Sequence, residues 1–141
     1  MSDTLTIRPM CDADEAAVIR LWQDAGLTRP FNDPGEDIAF ARKGPASEVL
    51  VGELGGAIAA SVMVGHDGHR GVVYYVSVDP DLSGRGFGRQ IMAAAEDWLR
   101  ARGVWKLNLM IRAENTPVRN FYEALGYEVE ERLVMARRLR G

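Results

Sequence analysis

The chain has 141 residues, 47% of them hydrophobic and 26% charged, which is enough apolar material for one core, so a single domain spanning 1–141 without a linker is expected. Its net charge of -3 argues against a nucleic-acid partner, because a duplex is gripped by a clustered positive field, and Arg132, Arg137, Arg138 and Arg140 are more simply the solvated face of a last strand. One cysteine, Cys11, cannot close an internal disulfide or assemble a metal site, and no apolar run has bilayer-spanning length or the shape of a secretion signal, so a reduced, cytoplasmic protein with no metal and no membrane partner is expected.

Leu5 and Ile7 alternate with polar residues ahead of Pro9 and predict a short first strand. In DADE, Asp12 is placed to cap a helix and Glu15 to complete a capping box; the stripe Ala16, Val18, Ile19, Trp22 carries that helix to Gly26 and puts Trp22 in the core. A loop then leads into a second helix, with Asp33 as N-cap, Pro34 as first residue and Gly44 as its end. EVLVGEL, AIAASVMVG and GVVYYVSV are apolar and β-branched, and the tight-turn sequences GG and HDGH between them predict an antiparallel meander. FGRQIMAAAEDWLRARG has helical spacing and stops at Gly103; WKLNLMI is a strand; Thr116 before Pro117 opens a helix that Gly126 closes; RLVMARRL is a final strand. The order β-α-α-β-β-β-α-β-α-β describes an α/β (α+β) chain with a mixed central sheet and helices on its faces.

Between the third meander strand and the long helix lies DLSGRGFGRQ, in which Gly84, Gly86 and Gly88 alternate with bulkier residues. Glycines at this density let backbone N–H groups approach a ligand, and the helix start behind them offers unpaired N–H groups and a positive dipole end, so the natural guest is a phosphate, with Arg85 and Arg89 on the rim. Neither of two familiar phosphate loops fits. A dinucleotide fingerprint needs glycine where Arg89 or Ile91 stands, and a P-loop needs Lys then Ser or Thr where Arg89 and Gln90 stand. A glycine-rich strand-to-helix turn without a ligand is the alternative.

VSVDPDLSGRGFGRQIMAAAEDWLRARG resembles the acetyl-CoA-binding segment of the GNAT superfamily of N-acetyltransferases: a hydrophobic strand ending V-x-P, then [RQ]-x-x-G-x-[GA], then a long helix. NTPVRNFYEALGYE is similar to the family's N-x-x-A-x-x-x-Y-E-x-x-G-[FY] segment, in the expected order and separation, and RPFNDP and GHDGHRG resemble segments of small bacterial members of the YpeA type. The resemblance extends over almost the whole chain and implies the GNAT fold, with acetyl-CoA as cosubstrate. It implies that backbone N–H groups from Ser83 through Gly84, Arg85, Gly86 and Phe87 to Gly88 hold the pyrophosphate of coenzyme A, with Arg85 and Arg89 at its edge. It also implies that the pantetheine arm pairs with the main chain near Val76 and Val78, in a gap between that strand and the strand of Leu109, and that Asn115 touches the arm. Ser83 stands where the family often has Arg or Gln, so a side-chain contact to phosphate is lost while the backbone cradle is not.

Acyl transfer to an amine needs a neutral nitrogen, an oxyanion donor and a proton for the departing thiolate. By the resemblance, Tyr122 supplies that proton and the Val78 N–H polarises the thioester carbonyl; packing of its helix is the other role open to Tyr122. Neither of the glutamates that serve as base in other members is present, since VVYYVSV has no carboxylate and Met110 occupies the second position. Phe31, Asn32 and Asp33 in RPFNDP, and Tyr74, assigned the same strand parity as Val76 and Val78, are candidates for the acceptor site, with Asp33 also claimed by its helix cap. His66, Asp67, His69 and Arg70 are weighed as proton acceptors against their ordinary place in a hairpin turn. The expected activity is direct transfer of acetyl to a primary amine of a small molecule or peptide; a non-catalytic acyl-CoA-binding or regulatory module on the same fold is the alternative, and a homodimer through sheet edges or the last strand is expected.

Overall fold

The computed structural model describes residues 4–140, which fall into two compact units divided between Leu109 and Met110. The first unit contains β1 (Thr6–Pro9), α1 (Glu15–Asp24), α2 (Pro34–Ala41), β2 (Ser47–Leu54), β3 (Ala57–His66), β4 (Gly71–Val78), α3 (Phe87–Ala101) and β5 (Leu107–Asn108). Its five-stranded sheet runs in chain order, with antiparallel pairs except for the parallel β4–β5 pair that α3 bridges as a crossover. Among the described residues no helix is long and apolar enough to cross a membrane.

The helix starts follow side-chain chemistry more closely than the spacing of the sequence indicated. The turn before α1 is a tight 3-10 turn, Asp12–Asp14, and the carboxylate that reaches back belongs to Asp14, which accepts from the Cys11 N–H at 2.8 Å. The expected Asp12/Glu15 box is therefore replaced by one shifted a residue toward the N-terminus. Arg8 causes the shift: it grips Asp14 through both terminal nitrogens, at 2.7 and 3.1 Å, and also pairs with Glu53, while Asp12 is taken by Arg42 at 2.8 Å. At α2, Asp33 caps as expected, its Oδ1 accepting from Gly35 N–H at 2.8 Å and Glu36 N–H at 3.3 Å. This helix ends at Ala41, before Gly44, because the Ser47 hydroxyl donates to the Ala41 carbonyl at 2.7 Å and satisfies one of its last acceptors.

The second unit holds α4 (Thr116–Ala124), capped by Asn115, whose side chain accepts from Val118 N–H. The final strand expected over RLVMARRL is not formed: residues 128–140 join no strand ladder among the described residues, and Leu133, Met135 and Leu139 are more than nine-tenths exposed. Local β-branched and apolar character does not by itself make a strand, because β-propensity depends on the pairing and packing around it. The same limit shortens the strand expected over WKLNLMI to Leu107–Asn108, the two residues that pair with Gly71 and Val72.

Alternation along β2 and β3 puts opposite sets of residues on the two faces of the sheet. On one face Val49 and Val51 pack with Val18 and Trp22 of α1, Ile38 and Ala41 of α2, and Met10. On the other, Gly71 is backed by Leu99 of α3, where a Cβ would lie 2.5 Å from the Leu99 methyl, so the helix sits against bare backbone. Trp22 is fully buried, as its stripe predicts, and its indole N–H donates to Ser61 Oγ at 2.8 Å, which in turn shares a 2.8 Å hydrogen bond with Ser77 Oγ. Ser61→Ala removes the middle of that buried chain and leaves the indole N–H without an acceptor; the expected loss is about 1–3 kcal/mol of unfolding free energy. Urea denaturation should show it as a lower midpoint at unchanged slope.

Candidate functional site

The glycine loop is open. Ser83, Gly84, Arg85 and Gly86 are exposed, and Gly84 and Gly86 adopt φ of +79° and +81°, values that side chains rarely take. A Cβ at either position would meet nothing within 4 Å, so the glycines serve the backbone bend and not a close approach to protein. Gly86 is the N-cap of α3 and no side chain caps this end, nor does an acidic residue sit in the first turn. The first-turn N–H groups of α3 therefore meet no carboxylate in their own turn, and they lie at the positive end of a 15-residue helix. Phe87 is buried and anchors the loop, Gly88 is half-buried in the first turn, Arg89 is exposed, and the Arg85 guanidinium lies 5.1 Å from the Phe87 ring. Gln90 fixes the helix start from the other side by accepting from the Leu5 N–H at 2.8 Å.

β4 leads into this loop, and among the described residues its β5-facing edge is paired only at Gly71 and Val72, so that from Val73 to Val78 it has no described ladder partner on that side. Val76 and Val78, beside which the resemblance places the pantetheine arm, lie in this stretch and are half-buried. The other edge of β4 carries a bulge: Tyr74 pairs with Met63 and Ser77 with Ser61, so Tyr75 and Val76 together face the single residue Val62. Tyr75 has φ of +52°, the one non-glycine residue in the left-handed region among those described. The extra residue breaks the period of two, so the common parity assigned to Tyr74, Val76 and Val78 is corrected.

Tyr75, the residue at this bulge, is absent from the candidates that the sequence offers. Its ring stacks on Trp22 with centroids 3.8 Å apart and planes 7° from parallel, and its hydroxyl donates to Asp37 Oδ2 at 2.6 Å. Burial first, and then this hydrogen bond and the neighbouring negative charge, push the phenol well above its ordinary range. The doubled tyrosine in a mostly apolar strand is the sequence signal for this pair; Asp37 leaves none, being one of two acidic residues in the first turn of α2.

Of the proposed acceptor residues, Phe31 is 61% and Tyr74 45% exposed, Asn32 donates its N–H to the Arg29 carbonyl, and Asp33 spends Oδ1 on the helix cap. The HDGHR segment is a turn braced from within: Gly68 N–H donates to His66 Nδ1 at 3.0 Å, and His69 and Arg70 N–H groups donate to Asp67 Oδ1 at 2.9 and 2.8 Å, holding that carboxyl below its usual range, while the Arg70 guanidinium lies over the Trp105 ring. In the second unit, Asn115 uses its side-chain oxygen as a cap. Tyr122 is buried between the edges of Phe121 and Tyr127, and burial pushes its phenol up to about 12.

The chain matches the acetyltransferase (GNAT) family over residues 12–127. It is 43% identical over 135 residues to a protein of Yersinia enterocolitica named as an acetyltransferase, the match spanning 96% of each chain. Among solved structures, AAC(6')-Iy in complex with the bisubstrate analogue CoA-S-monomethyl-acetylneamine superposes with a TM-score of 0.82 at 19% identity, over 95% of this chain and 97% of that one, a likeness of fold. The ribosomal-protein-S18-alanine N-acetyltransferase of Escherichia coli gives 0.74 at 27% identity, over 86% of this chain and 76% of that one.

Both raised phenols bind a proton more tightly folded than unfolded, where a tyrosine titrates near its ordinary value of about 10. Their contribution to stability is complete below that value and is lost as the pH rises through the folded values. Denaturation midpoints should hold steady up to about pH 9 and fall above pH 10. The fall should be shallower in Tyr122→Phe, measured against the wild type at each pH.

Proposed function

This chain belongs to the acetyltransferase (GNAT) family, and from that premise we propose that it transfers acetyl from acetyl-CoA directly to a primary amine, in a ternary complex without a covalent enzyme intermediate. The observation that carries the reading is the conjunction, within one unit, of an uncapped helix N-terminus behind two left-handed glycines and a strand edge without a ladder partner leading into it. The first suits a diphosphate and the second an extended amide-bearing arm, and acetyl-CoA carries both. Exposed Cys11 stands outside the glycine loop and the β4 edge, which favours direct attack over a thiol intermediate.

The roles then divide among the chain's own residues. N–H groups from Ser83 to Gly88 hold the diphosphate, with Arg85 and Arg89 adding charge-assisted hydrogen bonds at its rim. Main-chain groups near Val76 and Val78 pair with the arm, and the Val78 N–H is the oxyanion donor. The bound thioester supplies the acyl group. Asn115 contacts the arm through its amide nitrogen, since its oxygen is occupied at the cap. Tyr122 donates the proton that the departing thiolate needs; burial keeps its hydroxyl neutral, and a thiolate released into comparably desolvated surroundings is a stronger base than one in water. Phe31, Asn32, Asp33 and Tyr74 are proposed to shape the acceptor end. Neighbours of the same fold are named for acceptors as different as a ribosomal-protein alanine and an aminoglycoside, so the acceptor class is argued from this chain's own residues below. A cytoplasmic setting, where acetyl-CoA is made and used, belongs to the same reading.

Acetyl-CoA at a hundredfold excess over its Kd should stabilise the folded protein by about 2.7 kcal/mol, readable as a rise in melting temperature. No shift at millimolar coenzyme defeats the cofactor assignment. Tyr122→Phe should keep that shift while thiol release with an amine acceptor falls by about 10²-fold or more. Equal turnover in this variant removes Tyr122 from the chemistry, and a full shift with no thiol release from any amine supports a binding module instead.

A further inference from the structure

We propose that Asp37, held by Tyr75, is an ammonium-binding residue that selects acceptors carrying a second positive charge, that is, diamines and polyamines. The inference deepens the acetyltransferase reading and rests on it for the identity of the reaction, though not for the presence of the cation site.

Asp37 is half-buried on α2, and its carboxylate has one hydrogen-bond partner among the described residues, the neutral phenol of Tyr75, with no Arg, Lys or His paired to it. Asp14 and Glu53 share Arg8, Asp12 meets Arg42 and Asp97 meets Arg100, while Asp33, Asp67 and Asp79 accept from backbone N–H groups of their own turns. A half-buried carboxylate with one neutral donor has acceptor capacity left over, and an ammonium is a group that can use it through charge-assisted hydrogen bonds.

The carboxylate is also held in place. Tyr75 is clamped by its stack on Trp22, Trp22 by its bond to Ser61, and α2 by the Asp33 cap, so a ligand need not order the site before binding it. Its holder is the bulge residue itself. Tyr75 bears the left-handed backbone at φ +52° and precedes Val76, where the proposed acyl arm pairs, so one residue ties the carboxylate to the strand edge that positions the acyl group. Strain of this kind persists where surrounding contacts over-determine it, and here those contacts end on Asp37.

The chemistry decides which nitrogen of the acceptor Asp37 receives. The attacking nitrogen must be neutral, and a carboxylate in contact with it would favour its charged form. A second ammonium, remote from the attack, gains from the pairing without that penalty. The net charge of -3 favours the approach of such a ligand.

The test is calorimetric binding of 1,4-diaminobutane and of butylamine to the wild type, Asp37→Asn and Tyr75→Phe, at neutral pH, with and without coenzyme A. Wild type should bind the diamine at least tenfold tighter than the monoamine, Asp37→Asn should abolish that ratio, and Tyr75→Phe, a positioning change, should reduce it while the protein still melts cooperatively. Equal affinities for the two amines in the wild type, or a ratio untouched by Asp37→Asn, overturn the proposal. A diamine preference retained in a protein that shows no melting shift with acetyl-CoA would leave the cation site standing and defeat only the acetyltransferase reading.

Discussion

The stack of Tyr75 on Trp22 is the contact on which the arrangement of the first unit turns. A non-glycine residue in the left-handed region costs about 1–3 kcal/mol. Against it stand an aromatic pair at 3.8 Å, worth about 0.5–1.5 kcal/mol beyond its buried area, and a hydrogen bond to a carboxylate, worth about 1.5–3 kcal/mol. The two are of the size needed to hold the bulge open. Four elements meet there: α1 supplies Trp22, α2 supplies Asp37, β3 supplies Ser61, and β4 supplies Tyr75 and Ser77. A polar chain in an apolar layer is costly when half-satisfied, and the buried side-chain polar atoms of this one all have partners. The course of β4 past its pairing with β5 is thus a consequence of core packing on the opposite side of the strand.

The glycine-loop end of the first unit is built on a different principle, from backbone instead of side chains. Gly84 and Gly86 bend an exposed stretch of chain, Ser83 to Gly86, into the first turn of α3, and no carboxylate in that turn competes for its amides. What keeps such a loop in place is on its flanks. Phe87 is sunk into the core beneath it, and Gln90 receives the Leu5 N–H, tying α3 to the chain just ahead of β1. β1 is itself fastened to the start of α1 through Arg8, Asp14 and Glu53, a three-member ion network that holds the Asp14 carboxyl well below the usual carboxylate range. A helix start can be left uncapped where neighbours on its flanks secure its position.

Features fixed by short-range chemistry were readable from the sequence. The Asp33–Pro34 helix start, the meander turns, the burial of Trp22 and the glycine-rich entry to α3 each depend on a few adjacent residues, and the fold class follows from their order. The features that escaped depend on pairing across the sheet. Nothing in VVYYVSV states that its partner strand is one residue short between Ser61 and Met63, yet that mismatch reverses the face of Tyr75 and undoes the alternation expected from Tyr74 to Val78. The capping box moved to Cys11 and Asp14 because Arg8 lies across the turn, a tertiary contact that a local spacing rule does not contain. RLVMARRL has strand-like composition, but composition supplies no second edge.

The lack of a carboxylate on β4 has a physical reason in this geometry. An aspartate or glutamate at the bulge would end against the Trp22 indole, in the layer that also holds Ile38, Val49 and Val51, where an ionised group without a counter-charge costs on the order of several kcal/mol. A tyrosine there avoids the cost. Its ring fills the apolar layer and its hydroxyl emerges beyond it, at α2, where Asp37 is half in water. The strand therefore reaches a negative charge without burying one, and that charge lies one ring-length from the backbone instead of beside it. A carboxylate so placed is badly positioned to strip a proton from a nitrogen attacking at the strand edge, and well positioned to hold a positive group some atoms away from it. The phenol that fits the bulge in place of an acid thus leaves the nearby carboxylate the role of anchor that we propose for it.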